Sequence, residues 1–250
     1  MQAYWTLTRR ELASYFLSLS GYIIIAAVTL LIALSFVFIV MVQGGQPFPM
    51  PVTEMFFNTP LFWFILILAV PIITMRLFAL EKSSGTFETL MTTPVSDLQV
   101  VAAKFTGAVI FYMLMWLPTL GSLFVLRHFT NQSASLDLGA VAGMYLGIFL
   151  NGCLLLSVGG FASALTRSQA IAAMISLAVG FSLLILAYLA MNPPALDRWL
   201  AMVLSYFNLF DQMRDFVRGV VDTRPIVFSL SATLFFLFLT LRVVESRRWK

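Results

Sequence analysis

Six apolar runs, each long enough to cross a bilayer as a helix, constrain this chain more than any other feature. They are Gly21–Val42, Leu61–Leu80, Val100–Leu126, Leu138–Leu165, Ala170–Met191 and Ile226–Val244, and a helix needs about 20 apolar residues to span the hydrocarbon core. Inside lipid every backbone N–H and C=O must be satisfied without water, which a helix does within its own segment. The expected fold is an all-α integral membrane protein, a single transmembrane domain over residues 1–250. Its 60% hydrophobic and 10% charged residues exceed what a soluble core can hide; soluble chains hold about 45–50% apolar and about 25% charged residues. The first run is too long for the apolar stretch of a signal peptide, so no cleaved leader is expected.

Six spans put both termini on one side, and the basic residues choose which. Arg9, Arg10, Arg76, Lys82, Lys104, Arg167, Arg242, Arg247, Arg248 and Lys250 lie on the side of the termini, against Arg127, Arg198, Arg214, Arg218 and Arg224 on the other. The positive-inside bias then makes both termini cytoplasmic. These charges cluster at the ends of apolar runs rather than on one polar face, which excludes nucleic acid as the reason for the basic balance. Arg76, Lys104, Arg127 and Arg242 fall near span ends, where they can snorkel.

The segments between the spans differ in character. Residues 1–20 place Trp5, Leu12, Phe16 and Leu19 at helical spacing with Arg10 and Ser14 opposite, the pattern of a helix lying in the membrane interface; the alternative is a tail that merely leads into span one. Residues 43–60 hold four prolines and two glycines and exclude a long helix. Residues 192–224 open on Asn192-Pro193-Pro194, then alternate apolar and charged positions from Trp199 to Val217, which predicts short amphipathic or re-entrant helices.

Within the spans, Gly139, Gly143 and Gly147 form a doubled G-x-x-x-G on one face of span four, spacing that lets a second helix approach closely. The stripe predicts helix packing within the chain or a dimer contact. Pro71 and Pro118 interrupt spans two and three. Cys153 is the sole cysteine and reads as packing, as do Asn151, Ser157 and Ser163.

Catalytic and energy-coupling motifs are missing from this sequence. There is no G-x-x-x-x-G-K-[ST] to cradle ATP, no H-E-x-x-H and no G-x-S-x-G elbow. The single histidine, His128, falls at the end of span three. The spans carry no ionisable residue at mid-depth, unlike ion-coupled carriers.

The stretch between spans two and three is the most informative. Gly85 or Thr86 can cap a short helix, Glu88 sits in its first turn where the helix dipole favours an anion, and Pro94 ends it. Ser96 and Gln99 then form a capping-box pattern for span three. Spacing alone allows an ordinary capped loop or a rigid helix able to carry a push from a soluble partner into both spans.

Together, Glu81-Lys82, Ser84-Gly85-Thr86, Glu88, Leu90, Pro94 and Lys104-Phe105 resemble the signature of ABC-2 type transporter permeases. Phe216 to Arg224 and the tail from Leu241 to Trp249 are similar to the small gliding-motility-like permeases of that group. The chain departs from the pattern at Leu80-Glu81 and Leu90-Met91, where relatives often carry two acids and two leucines. The resemblance implies an interfacial N-terminal helix, a coupling helix at 81–94 between spans two and three, and short outer helices between spans five and six.

It further implies that Glu81, Lys82, Gly85, Thr86, Glu88, Leu90 and Pro94 dock on a separate P-loop ATPase subunit. That subunit would hold ATP and Mg, and this chain would bind no cofactor. A second permease copy or paralogue, as a homodimer or heterodimer, and an auxiliary protein with an extracytoplasmic domain complete the implied partners, in a bacterial-type inner membrane. The expected function is the permease subunit of an ATP-driven exporter. The alternatives are a stand-alone secondary carrier or channel, and an intramembrane enzyme using Ser157, Ser163 or His128.

Overall fold

A computed structural model describes residues 2–44, 50–87, 95–130, 137–191 and 208–246. In chain order its helices are α1 (Gln2–Phe16), α2 (Leu19–Gln43), α3 (Val52–Asn58), α4 (Pro60–Thr74), α5 (Ala79–Ser84), α6 (Asp97–Met115), α7 (Pro118–Thr130), α8 (Leu138–Leu165), α9 (Gln169–Met191), α10 (Leu209–Val217) and α11 (Thr223–Ser246). Six helical stretches among the described residues are long and apolar enough to cross a membrane. The protein is an all-α integral membrane protein. We call the face that carries both termini the terminal face, and the opposite one the far face.

Span four, α8, is the axis of the bundle: α4, α6, α9, α10 and α11 all pack on it. In its most apolar window 72% of residues are buried, against 22% in α9 and 17% in α11, whose apolar sides are exposed. Its glycines explain how so many neighbours reach it. A Cβ on Gly152 would lie 2.2 Å from the Tyr112 ring of α6, and one on Gly159 2.2 Å from Thr74 Oγ1 of α4. Small residues replace hydrophobic segregation as the means of helix association where the solvent is itself apolar.

Spans two and three are both broken, and each break is held by side chains from elsewhere. Pro71 lies inside α4, and the helix stops at Thr74, four residues before α5 begins after Phe78. Ser163 of α8 accepts from the N–H groups of Phe78 and Ala79, both at 3.1 Å, and donates to the Met75 carbonyl at 3.3 Å. Tyr15 of α1 donates to the Ile73 carbonyl at 3.1 Å. Non-helical backbone at membrane depth survives only where such partners replace the lost ladder. In span three the break falls at Trp116–Leu117, ahead of Pro118, and Tyr145 of α8 donates to the Trp116 carbonyl at 2.8 Å.

The N-terminal stretch is helical and turns Tyr4, Thr8, Glu11 and Tyr15 inward, leaving Trp5 and Leu19 exposed. An aromatic and hydroxyl face packs on α6, which supplies polar partners, and Trp5 is left to the surroundings. Gly85, expected with Thr86 as a candidate cap, is the left-handed C-cap of α5 at φ +75°, a conformation glycine adopts without a Cβ clash. The helical path resumes at Thr86–Phe87.

Candidate functional site at the terminal face

The candidate site grows from a scarcity of charge: the chain has 11 acidic residues, and two of them, Glu11 and Glu81, meet at one lysine. Ser96 starts α6 with the capping box foreseen, accepting from Gln99 N at 3.3 Å while Gln99 Oε1 accepts from Ser96 N at 3.4 Å. Two turns on, this helix presents Lys104. The expectation that Lys104 snorkels to the interface is overturned, because its side chain is only 4% exposed. Its Nζ lies 2.8 Å from Glu11 Oε1 of α1 and 2.9 Å from Glu81 Oε1 of α5. A long aliphatic stem reaches outward only if the interior offers no anion; here α1 and α5 supply two.

Around this ammonium the contacts reinforce one another. Arg10 donates to Glu81 Oε1 at 3.2 Å from a largely exposed position. The Phe78 ring centroid stands 5.5 Å from Lys104 Nζ, within cation–π range. Tyr4 OH and Thr106 Oγ1 are 2.8 Å apart. Gly107 allows the close approach of α1, since a Cβ there would come 2.9 Å from Glu11 Cβ. Burial, and then the nearby Glu11 carboxylate, push the Tyr15 hydroxyl well above the ordinary phenol range, so it stays a donor to the break in span two. Glu81 Oε2 is buried without a hydrogen-bond partner among the described residues, beside a cavity of about 250 Å³ walled by Arg10, Ser14, Arg76, Glu81, Thr86 and Lys104.

The predicted docking residues divide across this region. Glu81 joins the charge cluster. Lys82 donates to the Ala164 carbonyl at the end of α8, where a cation complements the negative end of the helix dipole, and stands 5.3 Å from the Phe87 ring centroid. Gly85 turns the chain, and Thr86 Oγ1 lies 2.9 Å from Ser84 Oγ. Glu88, Leu90 and Pro94 lie outside the described residues. The structure therefore joins α1, α5 and α6 through Lys104, a set that included two residues, Glu11 and Arg10, that the sequence reading had not singled out as partners. Their signal is local: Glu11 is the lone acid in α1 and directly follows Arg9 and Arg10.

The far face has its own charged clamp. Glu54 of α3, 7% exposed at its side chain, accepts from Arg218 Nε at 3.0 Å and from its terminal nitrogen at 2.6 Å, with Arg214 Nε 3.7 Å away. Thr53 donates to the Val217 carbonyl at 3.0 Å. This clamp seats α10 against the glycine face of α8: a Cβ on Gly143 would fall 2.1 Å from the Phe216 carbonyl oxygen, and one on Gly147 2.5 Å from Met213 Sδ. Gly139 stands at the start of α8, its nearest neighbour the Asp137 carboxylate that caps the helix. Asn151 donates to the Gly147 carbonyl at 3.0 Å, and Ser157 to the Leu154 carbonyl at 2.7 Å; both bonds are local to α8.

The chain thus combines broken spans, a central glycine-rich helix and a charge cluster that gathers the N-terminal helix and the segment between spans two and three. No curated protein matches it. A family model described as ABC-2 family transporter protein matches residues 47–210, from the far-face segment before α3 through spans two to five and into α10. With about two thirds of its length inside that match, the chain belongs to the ABC-2 transporter family and is a membrane-spanning permease subunit that works with an ATPase.

Proposed function

We propose that this permease is the export half of an ATP-driven transporter, with both termini cytoplasmic and residues 81–94 docked on a separate P-loop ATPase. The observation that carries the reading is the Lys104 cluster: one buried ammonium holds α1, α5 and α6 together at the start of the docking segment. A displacement of residues 81–94 by the ATPase would be felt at Glu81, and from there in the N-terminal helix and span three. Lys82, bonded to the Ala164 carbonyl in the last turn of α8, would carry the same motion to the axis of the bundle. ATP closure of two ATPases on two permease copies would then re-pack the spans, with no covalent chemistry in this chain. The basic bias of the terminal face supports its cytoplasmic placement.

The test is co-purification from the native host in mild detergent, followed by reconstitution into liposomes. A P-loop ATPase is expected to remain bound, and Gly85→Val, Thr86→Arg and Glu88→Lys are expected to release it or abolish its stimulation. Ion-gradient-driven transport by the chain alone, with no ATPase retained, would replace this reading with that of a secondary carrier.

A further inference from the structure

We propose that the far face holds a binding site for one phospholipid with a zwitterionic head, built from two adjoining cavities between α4, α9 and α10. The first, of about 470 Å³, is walled by Trp63, Phe64 and Ile67 of α4, by Phe181 and Tyr188 of α9, and by Phe210 of α10. The second, of about 340 Å³, is lined by Glu54, Asp211, Arg214 and Arg218. Asn58 and Phe210 stand in the walls of both, so an apolar cleft continues into a charged one. Each is within the size range of ligand pockets, about 300–1,000 Å³.

Position and charge select the occupant. Trp63 lies near the start of α4 and Tyr188 near the end of α9, the level at which amphipathic rings sit between acyl chains and headgroups. Phe64, Phe181 and Tyr188 are exposed along the cleft, open to lipid rather than sealed in the core. In the charged half, Glu54 is consumed by Arg218, which gives it two hydrogen bonds. Beside that pair lie a further anion and cation a turn apart on α10: Asp211 is exposed, and Arg214, 54% exposed, makes the looser ion pair with Glu54 at 3.7 Å. Asn208 steadies this pair, donating to Asp211 Oδ2 while its own Oδ1 caps α10. A phosphate fits against the Arg214 guanidinium, and an ammonium on the same head fits against the Asp211 carboxylate. An anionic head with a neutral alcohol in place of the ammonium leaves that carboxylate without a counter-charge, so electrostatic complementarity is lost.

This inference goes beyond the transport reading and is tested without an ATPase, so either can fail alone. The purified full chain is equilibrated with mixed micelles holding equal amounts of palmitoyl-oleoyl phosphatidylethanolamine and phosphatidylglycerol, and retained lipid is counted by native mass spectrometry. One phosphatidylethanolamine is expected per chain, favoured by about tenfold or more over phosphatidylglycerol, the ratio that one mismatched charge contact would produce. Asp211→Asn should erase the preference, Arg214→Ala should weaken retention of both lipids, and Phe181→Ala with Tyr188→Ala should weaken it whatever the head. The exchanged pair Asp211→Arg with Arg214→Asp keeps one charge of each sign and should restore retention, separating head recognition from misfolding. Equal retention of the two lipids by the unaltered chain would overturn the proposal. So would retention unchanged by the Phe181 and Tyr188 variants, or a lipid-free dimer closed over the cleft.

Discussion

Lys104 Nζ lies 2.8 Å from Glu11 Oε1, across 93 residues of sequence, and fastens the N-terminal helix to span three. The same ammonium lies 2.9 Å from Glu81 Oε1, so three segments share one nearly buried cation. Removing the cation would strand the Glu11 carboxylate and leave Glu81 with Arg10 alone. Lys104→Met is expected to destabilise the protein by about 3–5 kcal/mol, the usual cost of breaking a buried pair from one side. Adding Glu11→Gln and Glu81→Gln should recover part of that loss. Thermal unfolding in detergent, followed by loss of monodisperse elution, checks both steps; a Lys104→Met melting curve that overlays the unaltered one would show that the cluster carries no stability.

Ser163 serves two backbone donors at the break in span two. Ser163→Ala removes the acceptor and adds no bulk, leaving the N–H groups of Phe78 and Ala79 unpartnered in a buried site. Each such group costs about 1–3 kcal/mol. The expected readout is faster amide exchange over residues 75–82 than in α4, measured by hydrogen–deuterium exchange with mass spectrometry. Exchange that stays uniform along the span would mean that water already serves the break.

Gly147 and Gly143 receive α10 at distances that no Cβ tolerates. Gly143→Ala is the sharper test, because the atom it would strike is the Phe216 carbonyl oxygen, part of the backbone, whereas Gly147→Ala meets the flexible end of Met213. Overpacking of this kind costs about 1–3 kcal/mol. Gly143→Ala should therefore lower the melting temperature more than Gly147→Ala. It should also raise labelling of Met213→Cys, fully buried in the unaltered protein, by a membrane-impermeant maleimide.

At the far-face clamp the two partners are unequal. Glu54 is buried and Arg218 is 43% exposed at its side chain, so Arg218→Ala leaves a buried anion with only the 3.7 Å contact to Arg214, whereas Glu54→Gln releases an arginine that water can solvate. Arg218→Ala is expected to lower thermal stability more than Glu54→Gln. Adding salt should narrow the difference only slightly, because screening acts weakly on a buried partner. The reverse order of melting temperatures would mean that Arg214 replaces Arg218 at the carboxylate.

The two charge systems show where reading the chain stopped short. Span four, Leu138–Leu165, is the helix foreseen, since an unbroken apolar run leaves lipid-embedded backbone one option. The Ser96–Gln99 capping box is equally local, four residues that satisfy each other. The break after Thr74 had no such mark beyond Pro71, because Met75-Arg76-Leu77-Phe78 contains no glycine or proline, and the hydroxyl that stabilises the break comes from Ser163. Gly85 is legible as a capping position, but its role as the C-cap of α5 is not, because α5 is held at its start by Ser163 and at Glu81 by Lys104.

Sequence alone therefore determined that this chain lives in a bilayer, how many times it can cross, and where its short-range caps lie, because hydropathy and capping act within a few residues. Tertiary structure decided which charges stay in water and which are drawn inside. Lys104 and Glu54 look alike in sequence to any residue at a span margin; they are buried because partners 93 and 164 residues away reach them. In a low-dielectric interior, only such a partner makes burying a charge tolerable.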